Sequence, residues 1–254
     1  DRMIDDFFRG FYGGIFLEDL LVTSSRIFEF TFKMFSIGSA TLPAKGMQEI
    51  PDQLASRLPQ GMIQLNSPVT ALSKNSVESE RLTLTPESVV LATDGTAAAE
   101  LLPGSPEPKW NSTACLYFAT DEAPWTEPVI ALKGDRSGLI NNCCVPSAIS
   151  SDYAPEEKAL ISVSVLGDHR ENDNLTNEVQ AELVDWFGEN AKSWKPLRTE
   201  HIRKALPIDP PGHLKDQTAV DSIYRCGDFT TSGSIEGAII SGLRTADQIL
   251  ATHE

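Results

Sequence analysis

Apolar positions follow helical, alternating and continuous patterns in different stretches of the chain, and each pattern predicts an element. Phe7, Phe8, Phe11, Tyr12, Ile15, Phe16 and Leu17 crowd around Gly10, Gly13 and Gly14. Asp1, Asp5 and Asp6 suit a helix N-terminus, and the glycines predict its end near Gly10. Ser24 and Ser25 offer caps for a second helix over Arg26–Phe35, closed by Gly38. Ile27, Phe28, Phe30, Phe32, Met34 and Phe35 surround that helix almost completely. This predicts burial between layers, with the lining of an apolar cavity as the other reading. Leu42–Met47 is a loop, followed by a helix over Gln48–Leu58 that holds Pro51 in its first turn.

From Met62 the period becomes that of strands. Met62–Leu72, Arg81–Thr85 and Ser88–Thr93 are predicted strands, the third entering a tight turn at Asp94-Gly95. The Pro/Gly/Ser stretch Pro103–Pro108 predicts a crossover between domains. Further strands are expected at Ser112–Thr120, Pro128–Leu132, Gly138–Asn142, Leu160–Leu166 and Thr199–Ala205. Leu175–Phe187 is an amphipathic helix, and Leu206–Gly212 a rigid exit loop. A strand over Ser222–Cys226 and a helix from Ile235 to the C-terminus close the chain. Strands succeed one another without a helix between Met62 and Leu166, so the predicted class is α+β, a mixed α/β chain with an antiparallel-rich sheet.

Composition narrows the function classes. The 254 residues suffice for one large or two small domains. With 41% hydrophobic and 22% charged residues, the chain is no fibre, coiled coil or disordered segment. Its 21 basic and 36 acidic residues leave a net charge of −15, which repels phosphate backbones and anionic lipid and argues against nucleic-acid binding. No apolar run approaches the ~18 residues of a membrane span. Cys115, Cys143, Cys144 and Cys226 have no CxxC spacing, so reduced thiols in a reducing compartment are expected: the cytoplasm, or a plastid in a photosynthetic eukaryote. His169, His201, His213 and His253 share no ligand spacing, so no metal site is expected. The oligomeric state is not readable.

One segment carries chemistry. Tyr224-Arg225-Cys226-Gly227-Asp228 ends a strand, and a polar loop then feeds a helix beginning Ser234-Ile235-Glu236-Gly237-Ala238. Gly237, Ala238, Ser241 and Gly242 let something pack close to that helix, and the unpaired N–H groups of its first turn favour negative charge. The Asp228 carboxylate accepts hydrogen bonds and suits a polyol hydroxyl better than a phosphate. A plain turn and capped helix is the alternative reading. Gly233–Gly237 differs from a nucleophile elbow in spacing, which leaves an acyl hydrolase using Ser232 or Ser234 without support.

The segment Tyr224–Gly242 resembles the C-terminal flavin-binding motif of the FAD-dependent amine oxidase and phytoene desaturase superfamily. The resemblance implies that Gly227 and Asp228 meet the ribityl and pyrophosphate part of FAD, and that Ser234, Ile235, Glu236 and Gly237 bring a helix N-terminus to the isoalloxazine. Pro68-Val69-Thr70-Ala71-Leu72 resembles the family strand whose valine, here Val69, contacts the adenine. Ser88–Gly95 resembles the strand beneath the dinucleotide, and Leu42–Leu58 the loop and helix that precede it. The implied function is hydride transfer from a small organic substrate, apolar or an amine, to FAD, with a non-catalytic binding or scaffold domain as the alternative. No catalytic side chain is assigned. The family's opening strand–GxGxxG–helix is absent, so the expectation is a truncated chain, inactive and weak in FAD binding by itself. Residues 1–60 and 97–219 then form the substrate domain, and 61–96 and 220–254 a partial FAD-binding domain. Amine oxidases commonly place an aromatic residue where this chain has Ser234 and a lysine on the strand matched by Ser112–Phe118, which has none. A desaturase-like oxidation of an apolar substrate is therefore the better match.

Overall fold

The computed structural model describes residues 2–134, 137–212 and 223–252. Contacts divide the chain into two units, Asp1–Arg57 with Trp110–Leu206, and Leu58–Lys109 with Pro207–Glu254.

In the first unit a π-helical turn, Ile4–Phe8, runs straight into α1, Arg9–Phe16. The helix therefore passes Gly10 and continues through Gly13 and Gly14. A Cβ on Gly14 would collide with the Asn141 side chain, so this glycine serves close packing rather than helix termination. The stop comes instead at Leu17, which adopts φ 55°. Helix α2, Ser25–Ile37, ends at Gly38 as expected, but no residue of it is buried. Phe32 is 52% exposed and Ile37 70%, so the expected burial of this helix is corrected: an apolar circumference records what a helix could bury, not what covers it. Helix α3, Glu49–Ala55, carries Pro51 in its first turn.

The second unit holds β1, Val69–Ser73, β2, Ser76–Ser79, and β3, Thr83–Leu84, an antiparallel three-stranded sheet. The expected strand over Met62–Leu72 thus shrinks to its end, and β2 is added. Strand β4, Val89–Leu91, leads directly into α4, Gly95–Leu101, where a tight turn was expected. Asp94 decides this: its carboxylate accepts from the N–H groups of Thr96 and Ala97 and caps the helix.

The first unit continues with β5, Trp110–Thr120, β6, Ile130–Leu132, β7, Ile140–Cys144, and β8, Ala159–Leu166. Helix α5, Leu175–Phe187, and β9, Lys195–Pro207, follow. The five strands form one sheet in the order β6-β7-β8-β5-β9, with antiparallel β6–β7, β7–β8 and β8–β5 pairs. Strand β8 alternates strictly. Ile161, Val163 and Val165 are buried with Leu116, Phe118, Leu175, Val179 and Leu183, the core that fixes α5 on the sheet. Burying each such side chain contributes ~1.5–3 kcal/mol.

The second unit closes with β10, Ile223–Arg225, a 3₁₀ turn, Asp228–Thr230, and α6, Ile235–Thr252. Strand β10 pairs parallel with β4, Ile223 opposite Val89 and Arg225 opposite Leu91. Ser222, His213 and His253 lie outside the described residues. The result is a mixed α/β architecture, as the sequence predicts. Among the described residues no helix is long and apolar enough to cross a membrane.

Candidate functional site

The carboxyl end of β10 assembles the chemistry-bearing segment. Gly227 holds φ 153° and ψ 168°, a conformation that favours glycine, and its N–H donates to Ser241 Oγ at 2.8 Å. A Cβ there would also strike the Phe229 ring. The turn is locked from behind, because Thr230 Oγ1 donates to the Gly227 carbonyl at 2.7 Å. Asp228 opens the 3₁₀ turn between these two anchors.

Ser234 is the N-cap of α6. Its Oγ accepts from the Gly237 N–H at 2.8 Å and its carbonyl accepts from the Ala238 N–H at 3.0 Å. These bonds leave the first-turn N–H groups of Ile235 and Glu236 ahead of the intrahelical ladder. Ile235 is half exposed. Gly237 is buried, and a Cβ on it would overlap the Ser232 carbonyl, so only glycine lets the loop fold back over the helix start. Thr231 Oγ1 completes that fold by donating to the Gly237 carbonyl at 2.7 Å. Five of the predicted residues after Gly227, from Asp228 through Ser234, Ile235 and Glu236 to Gly237, thus share one turn-and-helix assembly. Val69 lies on the three-stranded sheet, opposite Ser79.

A nucleophilic serine finds no support here. The Ser232 and Ser234 hydroxyls lie 3.2 Å apart, and Ser234 Oγ is committed to the cap. Of the described histidines, His169 bonds the Leu166 carbonyl and His201 lies within β9. Among the described residues no cluster of His, Cys, Asp or Glu could hold a metal ion.

Two features escaped the sequence reading. The first is Arg225, the last residue of β10, which is 4% exposed with no hydrogen-bond partner for its Nε among the described residues. The second is the sheet face opposite α5. There Cys115 Sγ and Ser162 Oγ approach to 3.5 Å. A hydrogen bond with Cys115, followed by burial, pushes the Tyr117 hydroxyl well above its ordinary value. Burial pushes the Cys144 thiol up as well. These side chains are polar and neutral, with the Arg198–Glu200 ion pair beside Tyr117. The signal for this face was the serine at every second position of Ser162-Val163-Ser164, read only as strand periodicity.

The residues present fit a dinucleotide better than a metal: an open helix start, glycines where the backbone must be approached, an acceptor carboxylate at Asp228, and at Arg225 a buried cation whose Nε has no partner among the described residues. The model of one family, flavin containing amine oxidoreductase, matches residues 1–250. No curated protein matches the chain. Among solved structures, an oxidoreductase from Methanosarcina mazei superposes with a TM-score of 0.76 at 16% identity, covering 97% of this chain and 65% of that one. A protein assigned as a protoporphyrinogen oxidase from Exiguobacterium sp. 255-15 gives 0.66 at 17% identity, covering 80% and 51%. A putrescine oxidase variant redesigned in cofactor binding gives 0.66 at 15%, covering 82% and 53%. The chain spans about half to two thirds of the length of these structures.

Proposed function

The chain belongs to the flavin containing amine oxidoreductase family, and on that premise we propose that it is part of an FAD-dependent oxidoreductase that takes hydride from a small organic substrate. FAD, when bound, supplies the hydride acceptor. The observation that carries the reading is the Gly227-Asp228 turn feeding the capped start of α6.

Each residue then has a task. The Asp228 carboxylate accepts hydroxyl donors of the ribityl chain. The Ile235 and Glu236 N–H groups, with the positive end of an 18-residue helix behind them, would favour negative charge on the bound flavin. Gly227 and Gly237 keep the backbone approachable, Ser234 fixes the helix start, and the Val69 backbone would hold the adenine. The unit Leu58–Lys109 with Pro207–Glu254 serves the cofactor, and the unit Asp1–Arg57 with Trp110–Leu206 the substrate. The strip of Cys115, Tyr117, Cys144 and Ser162 carries no charge of its own, and the neighbouring Glu200 is already paired with Arg198, which favours a neutral or apolar substrate over a cationic amine. Four free thiols fit a reducing compartment such as the cytoplasm or a plastid. This chain by itself holds FAD weakly and turns nothing over, since it has no GxGxxG loop to cradle the pyrophosphate.

Site-directed variants of the product of the complete coding sequence test the reading. Asp228→Ala is expected to lower FAD occupancy with little change in circular dichroism, and Cys143→Ser, altered in the sheet core, to leave occupancy unchanged. Unaltered flavin content and reduction rate in both Asp228→Ala and Glu236→Gln would remove the motif from the site.

A further inference from the structure

Arg225 presents an anomaly that the functions assigned above do not absorb. It ends β10, and its side chain shares a face with Leu91, Val89 and Ile223, a core of apolar residues. It is 4% exposed, and among the described residues nothing forms a hydrogen bond or ion pair with its guanidinium. A guanidinium cannot escape this by losing its proton. Left ionised and unpaired in such surroundings it is strongly unfavourable. Only Nε is both sealed from solvent and unpartnered, so the remaining access belongs to the two terminal nitrogens. Those are the atoms that form a fork toward two oxygens.

Position narrows the partner. Arg225 stands at the carboxyl end of a parallel strand pair, the end outside which ligands bind in parallel sheets. It lies two residues before Gly227 and three before Asp228. Of the parts of FAD, the isoalloxazine, ribityl chain and adenosine are neutral at pH 7, and only the diphosphate is anionic.

We propose that Arg225 is a cofactor-binding residue that pairs with the diphosphate of the dinucleotide. The proposal rests on the flavin reading and adds a charge-pairing role that the carboxylate of Asp228 cannot fill. The partner supplies the missing acceptor oxygens, and the arginine supplies in this chain a cation for the group that a Gly-rich loop otherwise holds by backbone N–H donors alone.

The test compares two flavins that differ in phosphate. Apoprotein from the complete coding sequence is titrated with FAD and with riboflavin, following the quenching of flavin fluorescence. Arg225→Met is expected to weaken FAD by roughly tenfold to a hundredfold, the range of a charge-assisted hydrogen bond, and to leave riboflavin unchanged. Arg225→Lys keeps the charge without the fork and is expected to fall between. If Arg225→Met does not fold, the lysine variant carries the comparison. Equal losses for FAD and riboflavin, or no loss of either, overturn the proposal and leave Arg225 as a structural cation paired with polypeptide. Should the wild type bind neither flavin, the flavin reading itself fails. Inorganic pyrophosphate then decides for Arg225: a rise in melting temperature in the wild type but not in the variant sustains the anion pairing, and no rise overturns it.

Discussion

Glu182 shows how a single buried side chain can organise its surroundings. It sits on α5, 8% exposed, and its Oε2 accepts from the Leu139 N–H at 2.7 Å and the Ile140 N–H at 3.3 Å. Lys133 Nζ reaches its Oε1 at 3.4 Å. Gly138, at φ 88°, completes the latch, because a Cβ there would overlap the carboxylate. Glu182→Ala strands two backbone donors and a cation and is expected to cost ~3–5 kcal/mol of stability in urea titration. Gly138→Ala is expected to destabilise in the same direction through both collision and backbone strain. The buried thiols make a second prediction. Burial pushes the Cys143 thiol far above the ordinary 9.0, with Cys144 beside it adding to the shift. The folded state therefore keeps a proton that the unfolded state releases above pH 9. Stability is complete below that pH and falls as pH rises, by at most about 1.4 kcal/mol per pH unit for this group. Denaturation midpoints measured from pH 8 to 10.5 check this, and Cys143→Ala is expected to flatten the decline.

At the scale of elements, legibility followed the origin of each signal. Helix α5 was readable to its ends because Leu175, Val179 and Leu183 form one stripe against one sheet, so local period and tertiary contact agree. The same held for α6, whose Ser234 cap and Gly237 are local chemistry. Helix α1 was misjudged because Gly10, Gly13 and Gly14 read as breakers, whereas Gly14 answers to Asn141, more than a hundred residues away. Gly14→Ala tests that explanation. Were glycine here a helix breaker, alanine would stabilise by the ~1 kcal/mol of its better propensity. The packing account predicts net destabilisation instead, read from thermal melts. In the candidate site, Gly227, Asp228 and the start of α6 were legible because turn and cap residues are local. Arg225 was not, since in sequence it looks like an ordinary strand-end cation and only burial reveals it.

At the scale of the whole chain, the account divides labour between two units. One carries the parallel β4–β10 pair with its turn and helix start, and the other a five-stranded sheet with an apolar face under α5 and a polar face opposite. The central claim is that the first of these serves a flavin. The most direct measurement is the visible absorption spectrum of the purified product of the complete coding sequence, before and after anaerobic reduction, with the released chromophore identified by chromatography. The account predicts a yellow protein carrying FAD whose bands bleach on reduction, and a lower FAD content in Asp228→Ala at unchanged protein yield. A colourless wild-type protein that takes up no FAD on reconstitution would contradict it.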